Sequence, residues 1–375
     1  MSGGTITSDA LVVGGGLLGS AVAYELARRG LAVVLVDRAD RGQASAAGAG
    51  ILSPATSLWG SEDQARFGRL AGEHYGGLVP ALEEDGGGPT GYATAPVMAV
   101  AEDEEGDSRL DQLLDQARAL AIPLEEVSGP EASTLFPLLA KVGRAVVDRR
   151  GARVDGRLLT AALQRAAQGR GARVMEGGVD ELCLSGPRVV GARAHSLRID
   201  AGAVVLAAGA WLSALQAPLG PEPLVYPMRG QIAHLQWDEG PTASWAVVVA
   251  QSGYYLLPWP DGRVVVGATR EAGSGLVPEL TAGGMAETLA AGLRLAPDLH
   301  RARVREWRVG LRPASMDGRP ILGAVPGLEG CYLATGHGAG GLLLGPYSAR
   351  AVAETILSGD DSLIPPGYQA RRFAG

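Results

Sequence analysis

The stretch Ala10–Asp37, ALVVGGGLLGSAVAYELARRGLAVVLVD, decides the fold. Leu11 to Val13 is a short apolar run with the look of a strand buried on both faces. Gly14, Gly16 and Gly19 follow as G-x-G-x-x-G. Leu18, Val22, Leu26 and the alanines between them recur at helical spacing, and Gly30 closes that helix. Leu31 to Val36 is a second apolar run, ended by Asp37. The pattern predicts a complete β-α-β unit. A pyrophosphate needs backbone N–H groups and the positive end of a helix dipole. Gly14 permits the tight turn, Gly16 the close approach and Gly19 the close helix–strand packing. Asp37 lies 18 residues beyond Gly19, where its carboxylate can accept hydrogen bonds from a ribose diol. The same carboxylate would repel a 2′-phosphate, which argues against NADP. A glycine-rich turn in an ordinary α/β protein is the plainer reading. Strand, helix, second strand and acid together favour a dinucleotide site.

The whole chain bounds the rest. Its 375 residues, 46% hydrophobic, suffice for a large core and suggest roughly two to three domains. A net charge of −7 with no long basic run makes nucleic acid an unexpected partner. Cys183 and Cys331 are too few for a disulfide framework or a Cys-rich metal site, and both read as buried thiols. No His/Asp/Glu cluster has metal-ligand spacing, so no metal is expected. His74, His195, His234 and His300 are scattered and read as surface or structural. The segment MSGGTITSD lacks the basic and apolar parts of a signal peptide. No apolar run reaches the roughly 18 residues of a membrane span. A soluble, cytoplasmic protein is expected, with peripheral membrane contact and a homo-oligomer both left open. The 56 glycines are spread through folded-looking segments, and no solenoid repeat is visible.

Small residues run from Ala44 to Gly50, a surface loop or a loop on which a flat ring could lie. A helix is predicted over 61–85, before Gly-Gly-Gly-Pro89. Tyr92 to Ala101 reads as a strand and Leu110 to Leu120 as a helix. Arg157 to Gln168 is a helix, Ala172 to Met175 a strand, and Val179 to Leu184 with Arg188 to His195 a hairpin. Ile199 to Ala208, stopped by Gly209, returns the chain to the first, parallel sheet. Gln231 to Trp237, Ala246 to Gln251, Gly253 to Pro258 and Arg263 to Ala268 read as closely spaced strands, hence a second, mostly antiparallel sheet. Thr281 to Leu295 and Gly341 to Leu357 are helices.

With GLRPASMDGRPILG (Gly310 to Gly323) and ATGHGAGGLLLGP (Ala334 to Pro346) a family becomes visible. The chain resembles FAD-dependent amine and amino acid oxidoreductases of the D-amino acid oxidase type, especially glycine oxidase and sarcosine oxidase-like enzymes. Further matching pieces, in order, are SAAGAGILSP, LAAGAWLSAL, YPMRGQ and YYLLPWPDGRVVVGAT, so nearly the whole length is covered. The resemblance implies an α/β fold: a Rossmann-like FAD-binding domain plus an α+β substrate domain with a mostly antiparallel sheet. The division it suggests is 1–85, 145–220 and 304–375 for FAD, and 86–144 and 221–303 for substrate.

By the same resemblance, Gly14, Gly16 and Gly19, with Leu17 and Leu18, hold the pyrophosphate of a non-covalent FAD. Asp37 and Arg38 hold the adenosine end. Ser45, Ala46, Ala47, Gly48, Gly50 and Ile51 run beside the flavin, where small residues let backbone N–H groups approach the ring. Val179 touches adenine, and Ala208, Gly209 and Trp211 lie near the pyrophosphate. Gly338, Ala339, Gly340, Gly341 and Leu342 begin the last helix at the flavin's pyrimidine edge, where a helix N-terminus favours negative charge. Arg312 matches the arginine that pairs with the substrate carboxylate, since a guanidinium grips a carboxylate through two parallel hydrogen bonds. Tyr255 matches a tyrosine at the same carboxylate, and Tyr254 points to the other face. His337 is placed with them at the reacting centre, shaping the turn near the flavin rather than acting as a base. Glycine oxidases carry a bulky residue and an arginine after this histidine, where this chain has Gly338 and Ala339. A more open, less positive entrance is therefore expected, and glycine is not expected to be the best substrate. The loops of 45–60 and 221–260 would shape the pocket.

The implied reaction is oxidation of a small amino acid or secondary amine of the glycine, sarcosine, D-amino acid or proline type. A hydride passes from Cα to flavin N5 and dioxygen accepts the electrons as hydrogen peroxide. A dehydrogenase feeding a quinone, an NAD-dependent dehydrogenase and a flavin-binding subunit of a larger complex are the alternatives. The NAD reading leaves the GLRP and GHGAGG segments without a role.

Overall fold

The computed structural model describes residues 4–53, 62–215, 219–220 and 224–373. The chain runs β1 (Thr5–Val13), α1 (Leu17–Ala27), β2 (Val33–Asp37), α2 (Ala44–Ala47), β3 (Ile51–Leu52) and α3 (Glu62–Glu84). There follow β4 (Ala93–Thr94), β5 (Val97–Val100), α4 (Glu104–Ala119), β6 (Glu125–Ser128), α5 (Gly129–Leu135), β7 (Arg144–Asp148), β8 (Ala152–Arg153) and α6 (Gly156–Gly169). Next come β9 (Arg173–Glu176), β10 (Glu181–Ser185), β11 (Arg188–Ala194), β12 (Leu197–Leu206), β13 (Val225–Gln236), β14 (Val247–Ala250), β15 (Tyr255–Pro258), β16 (Arg263–Gly267) and β17 (Glu271–Ala272). The chain closes with α7 (Ala282–Leu295), β18 (Arg303–Ser315), β19 (Ile321–Ala324), β20 (Cys331–Thr335) and α8 (Gly341–Ser358).

The first sheet has β1 between β12 and β2, all parallel, with β9 beyond β2 and β20 beside β12. The β10–β11 hairpin and β19 extend it antiparallel. Its central strands are apolar on both faces because helices cover one side and a second apolar layer the other. α1 is buried on every side except Leu18, because it is wedged against both α6 and α8. An amphipathic helix needs a solvent face, and α1 has none.

The second sheet runs β18-β13-β16-β15-β14-β5-β7-β6, with β17 beside the start of β13. Neighbours are antiparallel except β14 with β5. β3, β8 and β4 form a small third sheet. The expected class, a parallel Rossmann-like half and a mostly antiparallel half, is the observed one.

Several expected elements have other bounds. The strand expected over Tyr92–Ala101 is two strands in different sheets, β4 and β5, parted at Pro96, whose missing N–H interrupts a ladder. The helix expected from Leu110 begins at Glu104, because the Asp103 carboxylate caps it by accepting from Gly106 N–H. Val179 lies in the loop before β10 rather than in a strand. β18 was not anticipated: Arg303, Arg305, Glu306 and Arg308 hide a strand that pairs with β13 from Val225 to Gln236. It belongs to the second sheet, as does β7, although the expected division gave 304–375 and 145–220 to the cofactor side. No helix among the described residues is long and apolar enough to cross a membrane.

Candidate active site

A cavity of about 770 Å³ opens between the two large sheets. Its walls gather residues from both ends of the chain. Gly14, Gly16, Leu17 and Leu18 come from the start of α1, Asp37 and Arg38 from the end of β2, and Ser45, Ala47, Gly48, Gly50 and Ile51 from α2 and its exit. Val179, Ala208, Gly209 and Trp211 line the same space, as do His337, Gly338, Ala339, Gly340, Gly341 and Leu342. Tyr255 and Arg312 complete it from the second sheet. Two expected residues stay outside the lining, Gly19 and Ala46. Part of the loops expected to shape the pocket, 54–60 and 221–223, lies outside the described residues.

The glycine turn is built as its spacing suggests. Gly14 has φ +104°, and a Cβ there would meet the Ala207 carbonyl at 2.5 Å. A Cβ on Gly19 would stand 1.9 Å from the Gly14 carbonyl oxygen, so Gly19 serves helix–strand contact and not the cavity. Gly16 differs, because a Cβ there meets nothing nearer than Ser45 Oγ at 3.6 Å. Leu17 N–H donates to that Ser45 Oγ over 3.0 Å, which ties the small-residue segment to the first turn of α1. Asp37 packs against Gly15, and Gln43 Nε2 donates to its Oδ2 at 2.9 Å.

The residues present fit FAD. α1 and α8 both begin on the cavity wall, and neither N-cap, Gly16 or Gly340, supplies a capping side chain. The positive ends of two helix dipoles therefore border one space, with Leu17 N–H alone at the α1 end engaged by Ser45 Oγ among the described residues, as a pyrophosphate and a reduced flavin require. Gly209 and Gly338, at φ +56° and +51°, line it with no protein atom within 4 Å of where a Cβ would sit. Thr335 also lines the cavity, and its buried Oγ1 has no partner among the described residues. Neither cysteine lines the cavity, and Cys331 is buried in β20.

The opposite end of the cavity is made by side chains. Arg312 projects from β18, and its Nη1 donates to the Thr269 carbonyl at 2.8 Å. Its guanidinium lies where a side chain on Gly230 of β13 would be, 2.4 Å from an added Cβ. Burial, more than any neighbouring charge, lowers the pKa of Arg312. No carboxylate pairs with it among the described residues. Tyr255 packs its phenol over Gly267, and burial pushes its pKa up to about 12 against the pull of Arg312 and Arg270. It is a neutral donor near pH 7, and its hydroxyl has no hydrogen-bond partner among the described residues. Tyr254 faces the other way and donates to Glu287.

His337 is buried at the turn before α8, and its Nε2 lies 2.9 Å from Ser348 Oγ. Burial lowers its pKa to about 4, so the imidazole is neutral near pH 7 and a weak base. Backbone pairing fixes how the two ends of the cavity meet. Leu311 N–H donates to Gly42 O at 2.8 Å, and Ala314 bridges His337. The strand carrying Arg312 is thus joined to the segments on both sides of the cofactor space.

Among the wall residues that escaped the sequence reading, one is charged and unpaired. Arg270 lines the cavity beside Tyr255, with Nη2 donating to Gly253 O at 3.0 Å. The matched run YYLLPWPDGRVVVGAT stops at Thr269, one residue short of it. The expected loss of positive charge at the entrance is therefore offset from the connection between β16 and β17.

The sequence model for FAD dependent oxidoreductases (DAO) matches residues 9–355. Over 354 residues the chain is 36% identical to the uncharacterized oxidoreductase YurR of Bacillus subtilis, covering 92% of this chain and 94% of that protein. It is 34% identical over 369 residues to the glycine oxidase of Pseudomonas aeruginosa, covering 96% and 97% respectively. The crystal structure of iminodiacetate oxidase (IdaA) from Chelativorans sp. BNC1 superposes with a TM-score of 0.88 at 36% identity, over 96% of this chain and 98% of that one. A cavity bordered by two open helix N-termini, and matches spanning nearly the whole chain, lead to one conclusion: the chain belongs to the DAO family of FAD dependent oxidoreductases and is a flavoenzyme.

Proposed function

We propose that the chain oxidises a small amine carrying a carboxylate next to the reacting carbon. The observation that carries this reading is Arg312, a guanidinium with no carboxylate partner among the described residues, held on the wall of a cavity fitted to FAD. A half-buried cation left unpaired is unfavourable, and a substrate carboxylate is the partner that offsets it. The similar proteins named glycine oxidase and iminodiacetate oxidase point to substrates with an amine and a carboxylate on one carbon.

Bound FAD would supply the two-electron acceptor for a hydride leaving the substrate carbon, with dioxygen as the proposed final acceptor, reduced to hydrogen peroxide. Arg312 receives the carboxylate through parallel N–H groups and Tyr255 adds a neutral O–H donor, so the reacting carbon is fixed in place. Among the described residues the acids lining the cavity are Asp37 and Asp40, both at the β2 end. His337 is neutral and engaged with Ser348. Among the described residues no strong base stands at the substrate end, and on this reading the amine reacts in its neutral form after losing its proton to solvent.

The test is anaerobic mixing of the purified, flavin-loaded protein with glycine, sarcosine, iminodiacetate and both enantiomers of alanine and proline. Bleaching of the flavin band by one of these, restored by air with peroxide formed, is the expected result. Bleaching that air barely restores identifies a dehydrogenase with another acceptor. A flavin that none of them bleaches overturns the reading.

A further inference from the structure

Four arginines line the cavity: Arg38, Arg109, Arg270 and Arg312. Arg38 pairs with Asp40 at 2.6 Å and Arg109 with Glu105 at 2.6 Å. Arg270 and Arg312 have no carboxylate partner among the described residues. Each engages one backbone carbonyl, Arg270 that of Gly253 and Arg312 that of Thr269, and the remaining N–H groups of both forks have no acceptor among the described residues.

These two cations are neighbours. The carbonyl that Arg312 grips belongs to the residue just before Arg270, and the Arg270 charge adds to burial in lowering the pKa of Arg312. Like charges brought together in a partly desolvated space are unfavourable unless an anion answers them. Both are also held by the same device. A Cβ on Gly253, whose φ is +80°, would stand 2.6 Å from Arg270 Nη2, just as one on Gly230 would stand 2.4 Å from Arg312 Nη2. Tyr255 lines the same wall and feels both charges. One anchor suffices for an ordinary amino acid; the second has no work to do on such a substrate.

We propose that Arg270 is a specificity-determining residue that receives a second carboxylate, so that the preferred substrate class is an amine carrying two carboxylates. This rests on the function proposed above, in which Arg312 receives the first. Arg270 is more exposed than Arg312 and stands at the mouth of the cavity, so the second carboxylate is the outer one.

The test uses the flavin-loaded enzyme and probes that lack an amine and so are not oxidised, read by the shift of the flavin absorbance on binding. Diglycolate is compared with methoxyacetate, and succinate with butyrate, at fixed ionic strength. In at least one pair the dicarboxylate is expected to bind about tenfold tighter, the gain of one charge-assisted hydrogen-bonded pair. Arg270→Gln is expected to reduce that ratio to about the twofold statistical factor of a symmetric ligand, with Arg270→Lys in between. Equal affinities within both pairs, or a ratio that survives Arg270→Gln, overturn the inference. If glycine-type amines still bleach the flavin in that case, the proposed function stands and the second anchor alone falls. If no probe binds and no amine bleaches the flavin, both fall together.

Discussion

The two ends of the cavity are built from different materials. At the α1 and α8 end the chain presents main chain: glycines, helix N-termini and small residues from two stretches far apart in sequence. At the other end it presents side chains, Arg312, Arg270 and Tyr255, each packed over a glycine of a neighbouring strand or turn. A cofactor common to a whole family can be held by groups that every residue possesses. A substrate that varies has to be met by groups that can be exchanged one at a time. The first kind of site tolerates almost no substitution, and the second is open to change at single positions.

That contrast can be broken at graded cost. Gly19→Ala should have the largest effect, because its Cβ would overlap the Gly14 carbonyl with no flexible neighbour to yield. A stability loss of about 3 kcal/mol is expected together with loss of bound flavin, read from the melting temperature and the visible absorbance. Arg312→Ala should leave flavin content intact and lower kcat/KM by about 100-fold on carboxylate substrates. Unchanged affinity for carboxylates in that variant would remove Arg312 as the anchor.

Acid should strike both ends together. Burial lowers His74 and His337 to about 4 and His234 to about 3, below the ordinary value near 6.5. Between those values the unfolded chain binds protons that the folded chain refuses. Stability is therefore complete above about pH 6.5 and falls as pH drops toward 4, by about 2 kcal/mol at pH 5 for His337 alone. His234 lies on β13, while His74 and His337 flank the cofactor end, so thermal melting followed by flavin release and by backbone signals should move as one. Separate transitions would show two halves more independent than their shared strand pairing implies.

Gly230→Ala sharpens the comparison, since it keeps the guanidinium and displaces it. A loss of about tenfold in carboxylate affinity, with unchanged flavin content, is expected from titration. Tyr255→Phe should be the mildest, about fivefold in kcat/KM, because it removes one neutral hydrogen bond. A larger loss than for Arg312→Ala would reverse their assigned importance.

The legibility of the sequence follows the same divide. The β-α-β unit, its glycines and Asp37 are local in sequence, so their spacing alone locates them. Spacing assigns Gly19 to close helix–strand packing and the resemblance to the pyrophosphate; in the structure it lies against the Gly14 carbonyl and outside the cavity lining. The substrate end depends on non-local pairing: Gly230, Gly253, Thr269 and Arg312 meet only through strand registers spanning 82 residues. Arg312 and Tyr255 were found through resemblance, whereas Arg270 carried no local signal beyond being a charge after an apolar strand. β18 escaped for a related reason. Four charged residues in its first half look like a surface segment, and only its partner β13 makes it a strand.

The backbone joins at Gly42–Leu311 and at Ala314–His337 bracket Arg312 on one continuous strand. A residue so bracketed is indexed to the cofactor like a mark on a ruler. On the function proposed above, the gap between that guanidinium and a bound ring would be set by the main chain of β18 through these two joins. Selection among ligands becomes a matter of reach: those whose carbon stands the right distance from its carboxylate fall into range, and longer or shorter ones stay bound out of range.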